Sequence, residues 1–231
     1  MDIQSLISSL VPGRSFADLG GLWGTTNERI SVALQAGAAA ATMIDHQPLG
    51  NELWQEFDAH CARLGVSGYV SIQGDLDDPD LPHRLGQFEV LHCSGVIYHC
   101  PDPFHSLRQL RRLTGRHLLL GAMTVPEQVR NAAGAVDFSE GRMLALPALR
   151  GGALAVMQRH FDELHIKIPN INAPEREPWV LPDGMPNYSP WWWLFTVETL
   201  SAMAEAVGLR VVGSFESWAG YAHYIHCEVP E

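Results

Sequence analysis

The chain has 231 residues, 46% of them hydrophobic, which is long enough for one large core and short for two. Its formal net charge of −11 opposes phosphate backbones, and four scattered cysteines without a C-x-x-C pair argue against a zinc ribbon or a disulfide framework. There is no apolar run of roughly 18 residues to span a membrane, and the first ten residues lack a signal peptide's basic start and long apolar stretch, so the expectation is a soluble cytoplasmic protein with reduced thiols.

In chain order, Ile3, Leu6, Ile7 and Leu10 fall at helical spacing, and Val11-Pro12-Gly13 stops that helix. Ser15 to Leu19 reads as a short buried strand. A glycine turn (Gly20, Gly21, Gly24), a helix from Thr25 to about Gln35, a second strand from Ala40 to Ile44 and an acid, Asp45, follow. That is one βαβ unit with a ligand loop. Glycine suits such a turn because positive φ costs it little and the missing Cβ lets a ligand approach the backbone; an acid ending the second strand can take both hydroxyls of a ribose.

Leu53, Trp54, Phe57, Cys61 and Leu64 make the apolar stripe of the next helix, which ends at Gly65. Gly68 to Ile72 is a third strand running into Gly74-Asp75-Leu76. Phe88 to Cys93 is a fourth, running into Ser94 and the segment G-V-I-Y-H-C-P-D-P from Gly95 to Pro103. Asp102 is placed to cap a helix with Pro103 in its first turn and Phe104, Leu107, Leu110 and Leu113 facing inward. The basic cluster Arg108, Arg111, Arg112 and Arg116 reads as the face and end of that helix, although a local anion patch is its functional alternative.

Arg116 to Met123 is a fifth strand buried on both faces. Beyond it the periodicity weakens: two helical pieces (Gly141 to Ala148 and Gly152 to Leu164) precede a Pro- and Asn-rich loop from Pro169 to Pro190. The long irregular stretch 125–193 is expected to be an inserted substrate-binding lid. A helix from Thr196 to Val207 and two closing strands, Leu209 to Phe215 and Tyr221 to Val229, complete a single domain over 1–231. The expected fold is α/β: a doubly wound, Rossmann-like, mostly parallel seven-stranded sheet with helices on both faces.

The order D-L-G-G-L-W-G (Asp18 to Gly24), I-D-H (Ile44 to His46), G-D-L (Gly74 to Leu76), Gly95 to Pro103 and a final helix with two strands resembles the class I S-adenosylmethionine-dependent methyltransferases over nearly the whole chain. The Gly95 to Pro103 segment is most similar to the ubiquinone-biosynthesis-like and wobble-uridine-type branches. Leu22 stands where that family has its middle loop glycine, with Trp23 beside it and free to pack over the cofactor. The resemblance implies S-adenosylmethionine as cofactor, with Asp18 and the backbone of the Gly20, Gly21, Leu22, Trp23, Gly24 loop at its methionine end. It puts Asp45 on the ribose, His46 against the adenine, Asp75 and the Leu76 amide on the purine edge, and Ser94 at the amino group or sulfonium.

The rival dinucleotide fold fits less well, because the turn is G-G-x-x-G and not G-x-G-x-x-G. His99, just past a parallel strand, suits a general base, or else it positions a loop. With Tyr98 it is placed on the methyl acceptor. His92-Cys93, His99-Cys100 and His226-Cys227 are read as structural and not as metal ligands, because neighbours in a strand point to opposite faces. Trp191, Trp192 and Trp193, with Tyr188, Phe195 and Trp179, either line an apolar substrate pocket or pack the insertion onto the sheet. The function expected is methylation of a hydroxyl or amine on a small molecule; a wobble-uridine-type tRNA methyltransferase and a non-catalytic cofactor-binding protein are the alternatives. No metal is expected, the charge argues against nucleic acid, and a homodimer is left open.

Overall fold

The computed structural model describes residues 2–23 and 28–230. Helix α1 (Ile3–Leu10) is capped by Asp2, whose carboxylate accepts from the Ser5 amide. It leads into β1 (Ser15–Leu19), α2 (Ile30–Gln35), β2 (Ala40–Asp45), α3 (Glu52–Arg63), β3 (Val70–Gln73), α4 (Leu81–Leu85), β4 (Phe88–Ser94), α5 (Pro103–Leu113) and β5 (Thr114–Met123). The chain continues through β6 (Gln128–Asn131), β7 (Gly134–Asp137), β8 (Leu144–Ala145), α6 (Gly151–Glu163), β9 (Trp193–Leu194), α7 (Val197–Ala206), β10 (Arg210–Ser217) and β11 (Ala222–Glu228).

Seven strands pair in the order β10-β11-β5-β4-β1-β2-β3. The pairs from β3 to β5 are parallel, and β11 alone runs against its neighbours. Strand alternation sends Phe16, Met43 and Val90 into a core under α1, α2 and α3; Ala17, Ile44, Leu91 and Cys93 enter a second core under α4, α5 and α7. Winding reverses between β1 and β4, so a crevice opens at their carboxyl ends. All four cysteines are buried and free. Among the described residues no helix is long and apolar enough to cross a membrane.

The structure departs from the sequence reading in four places. Phe104 is 40% exposed, because each three-residue step turns about 60° short of a full circle; three such steps leave it on the side opposite Leu113. Helix α2 begins at Ile30 and not at Thr25, since Glu28 and Arg29 precede it in non-helical conformation; residues 24–27 lie outside the described residues. The expected helix from Gly141 to Ala148 is instead a short strand followed by one 3-10 turn, with the Leu146 amide donating to the Trp192 carbonyl. Residues 128–137 form a hairpin whose alternation and Asn131 to Gly134 turn were readable but brief. This hairpin packs on α6 around Val129, Phe138, Met157 and Phe161, giving the insertion a core of its own.

Candidate functional site

At the carboxyl ends of β1, β2, β4 and β5 lies a cavity of about 810 Å³. Its first wall is the turn after β1. Gly20 has φ +79°, in the left-handed region, and a Cβ there would collide with Val96; one on Gly21 would collide with the Asp18 carboxylate. The turn is held by the Gly20 amide donating to the Ile44 carbonyl, 2.8 Å.

Asp18 is fully buried, and both its oxygens are engaged. Oδ1 lies 2.7 Å from His92 Nδ1, and Oδ2 accepts from the Arg29 amide at 2.8 Å. Asp18 therefore holds Arg29, the residue before α2, and it lines the cavity as well. His92 Nε2 lies 3.2 Å from the Tyr224 hydroxyl, which donates to Ser94 Oγ at 3.0 Å. This buried chain of polar groups forms the floor, and a Cβ on Gly121 would collide with both Ser94 and Tyr224.

Asp45 closes β2 and is buried. Its Oδ1 accepts from the Gln47 amide at 3.0 Å and lies 3.3 Å from His46 Nδ1, an interaction that raises the His46 pKa against the cost of burial. Asp45 Oδ2 has no partner among the described residues, and neither does Arg29 Nε. Leaving buried polar atoms unmatched costs free energy unless a ligand completes them, and both residues line the cavity. A nucleoside with an amino-acid tail matches this pair: vicinal hydroxyls for the carboxylate, a carboxylate for the guanidinium. Asp75 and Leu76 lie beyond Gly74, whose amide donates to the Asp45 carbonyl; the Asp75 carboxylate accepts from the Asp77 amide at 2.9 Å.

Tyr98, His99, Met123, Trp218 and His223 also line the cavity, together with Leu181, Met185 and Tyr188 of the stretch between β5 and α7. His99 Nδ1 donates to the Pro190 carbonyl at 3.1 Å, so a neutral ring leaves Nε2 unprotonated. Burial pushes the His99 pKa down to about 4, keeping the ring neutral. Tyr188 donates to Asp77 Oδ2 at 2.6 Å and sits edge-on to His46.

The cavity thus brings together Asp18, Gly20, Gly21, Trp23, Asp45, His46, Asp75, Leu76, Ser94, Tyr98, His99 and Tyr188. Gly24 lies outside the described residues. Leu22, whose backbone the resemblance implied at the cofactor, packs its side chain in the core with Phe16, Ile30 and Met43 and so anchors the loop, while Trp23 beside it stays 67% exposed. The three tryptophans are a correction, since none lines the cavity. Trp191 packs on Tyr98 and Phe161, Trp192 packs its ring on Trp179 within the insertion while its amide donates to the Tyr98 carbonyl, and Trp193 donates to the Cys100 carbonyl, so the run fastens the insertion to the segment that follows β4. Sequence reasoning missed Arg29, His92 and Tyr224. Of these only His92 carried a signal, as a polar residue in an otherwise apolar strand.

No protein-family model matches the sequence, and no curated protein matches it. Solved structures do share the fold. A magnesium protoporphyrin IX methyltransferase from Synechocystis with bound SAH superposes with TM-score 0.56 at 15% identity, over 98% of this chain and 83% of that one. A 1,6-didemethyltoxoflavin N1-methyltransferase from Burkholderia thailandensis, bound to 1,6-didemethyltoxoflavin and S-adenosylhomocysteine, gives 0.57 at 12%, over 99% and 78%. A SAM-dependent methyltransferase from Aquifex aeolicus gives 0.55 at 13%, over 99% and 90%. The fold is therefore the Rossmann-like one of class I methyltransferases.

Proposed function

We propose that the chain is an S-adenosylmethionine-dependent methyltransferase acting on a hydroxyl or amine of a small molecule in the cytoplasm. The observation that carries the reading is a pair of unmatched buried atoms, Asp45 Oδ2 and Arg29 Nε, on residues that line one cavity with the Gly20-Gly21 turn. Asp45 would hold the ribose hydroxyls, Arg29 the methionine carboxylate, and Asp75 with the Leu76 amide the adenine edge, with His46 against its face. When bound, the cofactor supplies an electrophilic methyl group on a sulfonium.

The protein's own task is then to align, dry and deprotonate the acceptor. Tyr98 and Tyr188 would bound the acceptor, and the roof residues Leu181 and Met185 would exclude water. His99 would take the acceptor's proton at Nε2, the nitrogen left free by its bond to Pro190. The low proton affinity of that ring suits transfer concerted with methylation, as the acceptor becomes more acidic. The domain is read as one unit over 1–231, with 125–193 supplying the acceptor side.

The similarity of Gly95 to Pro103 to the ubiquinone-biosynthesis-like and wobble-uridine branches keeps a tRNA substrate as the second reading. The −11 charge counts against it, because an RNA enzyme needs a basic face. Calorimetry with S-adenosylhomocysteine tests the cofactor, and labelled S-adenosylmethionine with an acceptor panel plus total tRNA tests the substrate. Label confined to phenols, alcohols or amines supports the proposal. Label at a defined nucleotide favours the second reading, and cofactor affinity without turnover on any acceptor favours a non-catalytic binding protein.

A further inference from the structure

We propose that His117, His226 and Glu228 form a transition-metal site that clasps β5 to β11, at the end of the sheet remote from the cavity. The antiparallel register sets Glu228 directly opposite His117, and His226 lies two residues before Glu228, so all three project from one face. His117 Nδ1 is 3.1 Å from His226 Nε2 and 3.7 Å from Glu228 Oε1, and the three ligand atoms lie within 4.8 Å of one another. Ligands about 2.0–2.1 Å from a tetrahedral ion are spaced about 3.3 Å apart. The observed separations straddle that value, so an ion enters with small side-chain rotations.

The surroundings support the same reading. Arg210, paired with Glu228 across β10, engages Oε2 and so turns Oε1 toward the histidines, the role of an outer partner that orients a ligand. His117 is buried, while His226 and Glu228 are partly exposed, which gives an ion a way in and a fourth position for water. Two imidazoles and one carboxylate suit Zn²⁺, Co²⁺, Ni²⁺ or Cu²⁺ and not Ca²⁺ or Mg²⁺. Arg14 and Arg116 are close enough to His117 to oppose a cation, so the site should bind more weakly than a closed structural site.

The site stands four to six residues back along β5 from Gly121, Ala122 and Met123 of the cavity wall, or about 13–20 Å at strand rise. Its role is therefore mechanical: it fastens the antiparallel edge that carries Tyr224 and His223 into the cavity. No sequence motif announces it, because the ligands come together only through cross-strand register.

Cobalt gives a direct readout. Chelator-stripped protein titrated with Co²⁺ is expected to develop ligand-field absorption that saturates at one ion per chain, and Zn²⁺ is expected to abolish it and raise the thermal midpoint. His226→Gln and Glu228→Gln, both at partly exposed positions, should each weaken Co²⁺ binding by more than about tenfold and remove the Zn²⁺ effect on melting. Absorption that persists unchanged in His226→Gln, or no uptake at millimolar Co²⁺, overturns the proposal. Because neither measurement involves methyl transfer, the result is independent of the proposed activity.

Discussion

His99 and Pro190 are joined by a hydrogen bond of 3.1 Å from the imidazole Nδ1 to the peptide carbonyl, and this bond ties the carboxyl edge of the sheet to the end of the insertion. It fixes the ring's tautomer. It also makes His99 an acid-sensitive fastening, because burial holds the ring neutral with a pKa pushed down to about 4.

The sign follows from which state binds the proton. The unfolded chain protonates His99 near its ordinary value of about 6.5, whereas the folded chain does so only near 4. Stability is full above about pH 6.5 and is lost progressively as pH falls toward 4. His99→Gln keeps an N–H for Pro190 and removes the titration. Denaturant unfolding between pH 7.5 and 4.5 should show a shallower loss for the variant, although His117, His160 and His226, also lowered by burial, leave it some slope. Parallel curves for the two proteins would mean that His99 is not held neutral. In turnover assays the same variant should lower kcat and leave S-adenosylhomocysteine affinity nearly unchanged.

Asp45 gives the second prediction. Its unmatched oxygen predicts that Asp45→Asn, which preserves shape and removes charge, weakens S-adenosylhomocysteine binding by roughly 10- to 100-fold, the equivalent of about 1.5–3 kcal/mol for a charged hydrogen bond. Equal affinities in calorimetry would take Asp45 out of the site.

Arg29 can be tested with two ligands that differ at one end. S-adenosylhomocysteine carries the amino-acid carboxylate and methylthioadenosine does not. Arg29→Gln should weaken the first and spare the second, since Nε and its neighbours would face only the missing group. Equal weakening of both ligands would instead mean that the variant disturbs the turn held through Asp18.

What was legible in the sequence was whatever repeats with a local period or needs a particular residue at a turn. The five parallel strands, the Asp102 and Thr196 caps, the Gly20-Gly21 turn and the terminal acids Asp45 and Asp75 all belong to that class. Arg29, His92 and Tyr224 were not legible, because their roles come from contacts between strands far apart in sequence, such as the one joining His92 to Tyr224. The tryptophans misled for a related reason. An aromatic run announces burial but not which surface does the burying, and here it is Tyr98, Phe161 and Trp179.

Packing and not substrate contact sets the expected phenotype of a tryptophan substitution. Trp191 bridges the core under α4, α5 and α7 and the insertion's own core through Tyr98 and Phe161, with ring centroids 4.6 Å and 5.9 Å away. Trp191→Ala should cost about 3 kcal/mol of stability, read from the midpoint of denaturant unfolding, and leave the acceptor's KM little changed at temperatures where the variant is folded. A raised KM at unchanged stability would return Trp191 to the substrate.

The insertion divides into a part that supports itself and a part that does not. The hairpin β6-β7 and α6 bury Val129, Phe138, Met157 and Phe161 against one another, so they do not depend on a ligand to fold. The stretch 180–186 is different: Val180, Leu181 and Met185 are exposed, and it is held internally by a tight turn alone, with the Leu181 amide donating to the Met185 carbonyl at 2.8 Å, the Gly184 amide to the Leu181 carbonyl at 2.9 Å and the Met185 amide to Asp183 Oδ1 at 3.0 Å. It is tethered just beyond by Tyr188 on Asp77 and by Asn187, whose side chain donates to the Pro178 carbonyl. Leu181 and Met185 face the cavity, so an apolar acceptor would give them the surface they lack. Limited proteolysis of the free protein should therefore cut within 180–186 and spare 128–164. Adding S-adenosylhomocysteine with an acceptor analogue should slow that cut, because closure removes the exposed backbone from the protease. A cut rate that is the same with and without ligands would make the roof a fixed wall and would leave exclusion of water to the residues of the sheet edge.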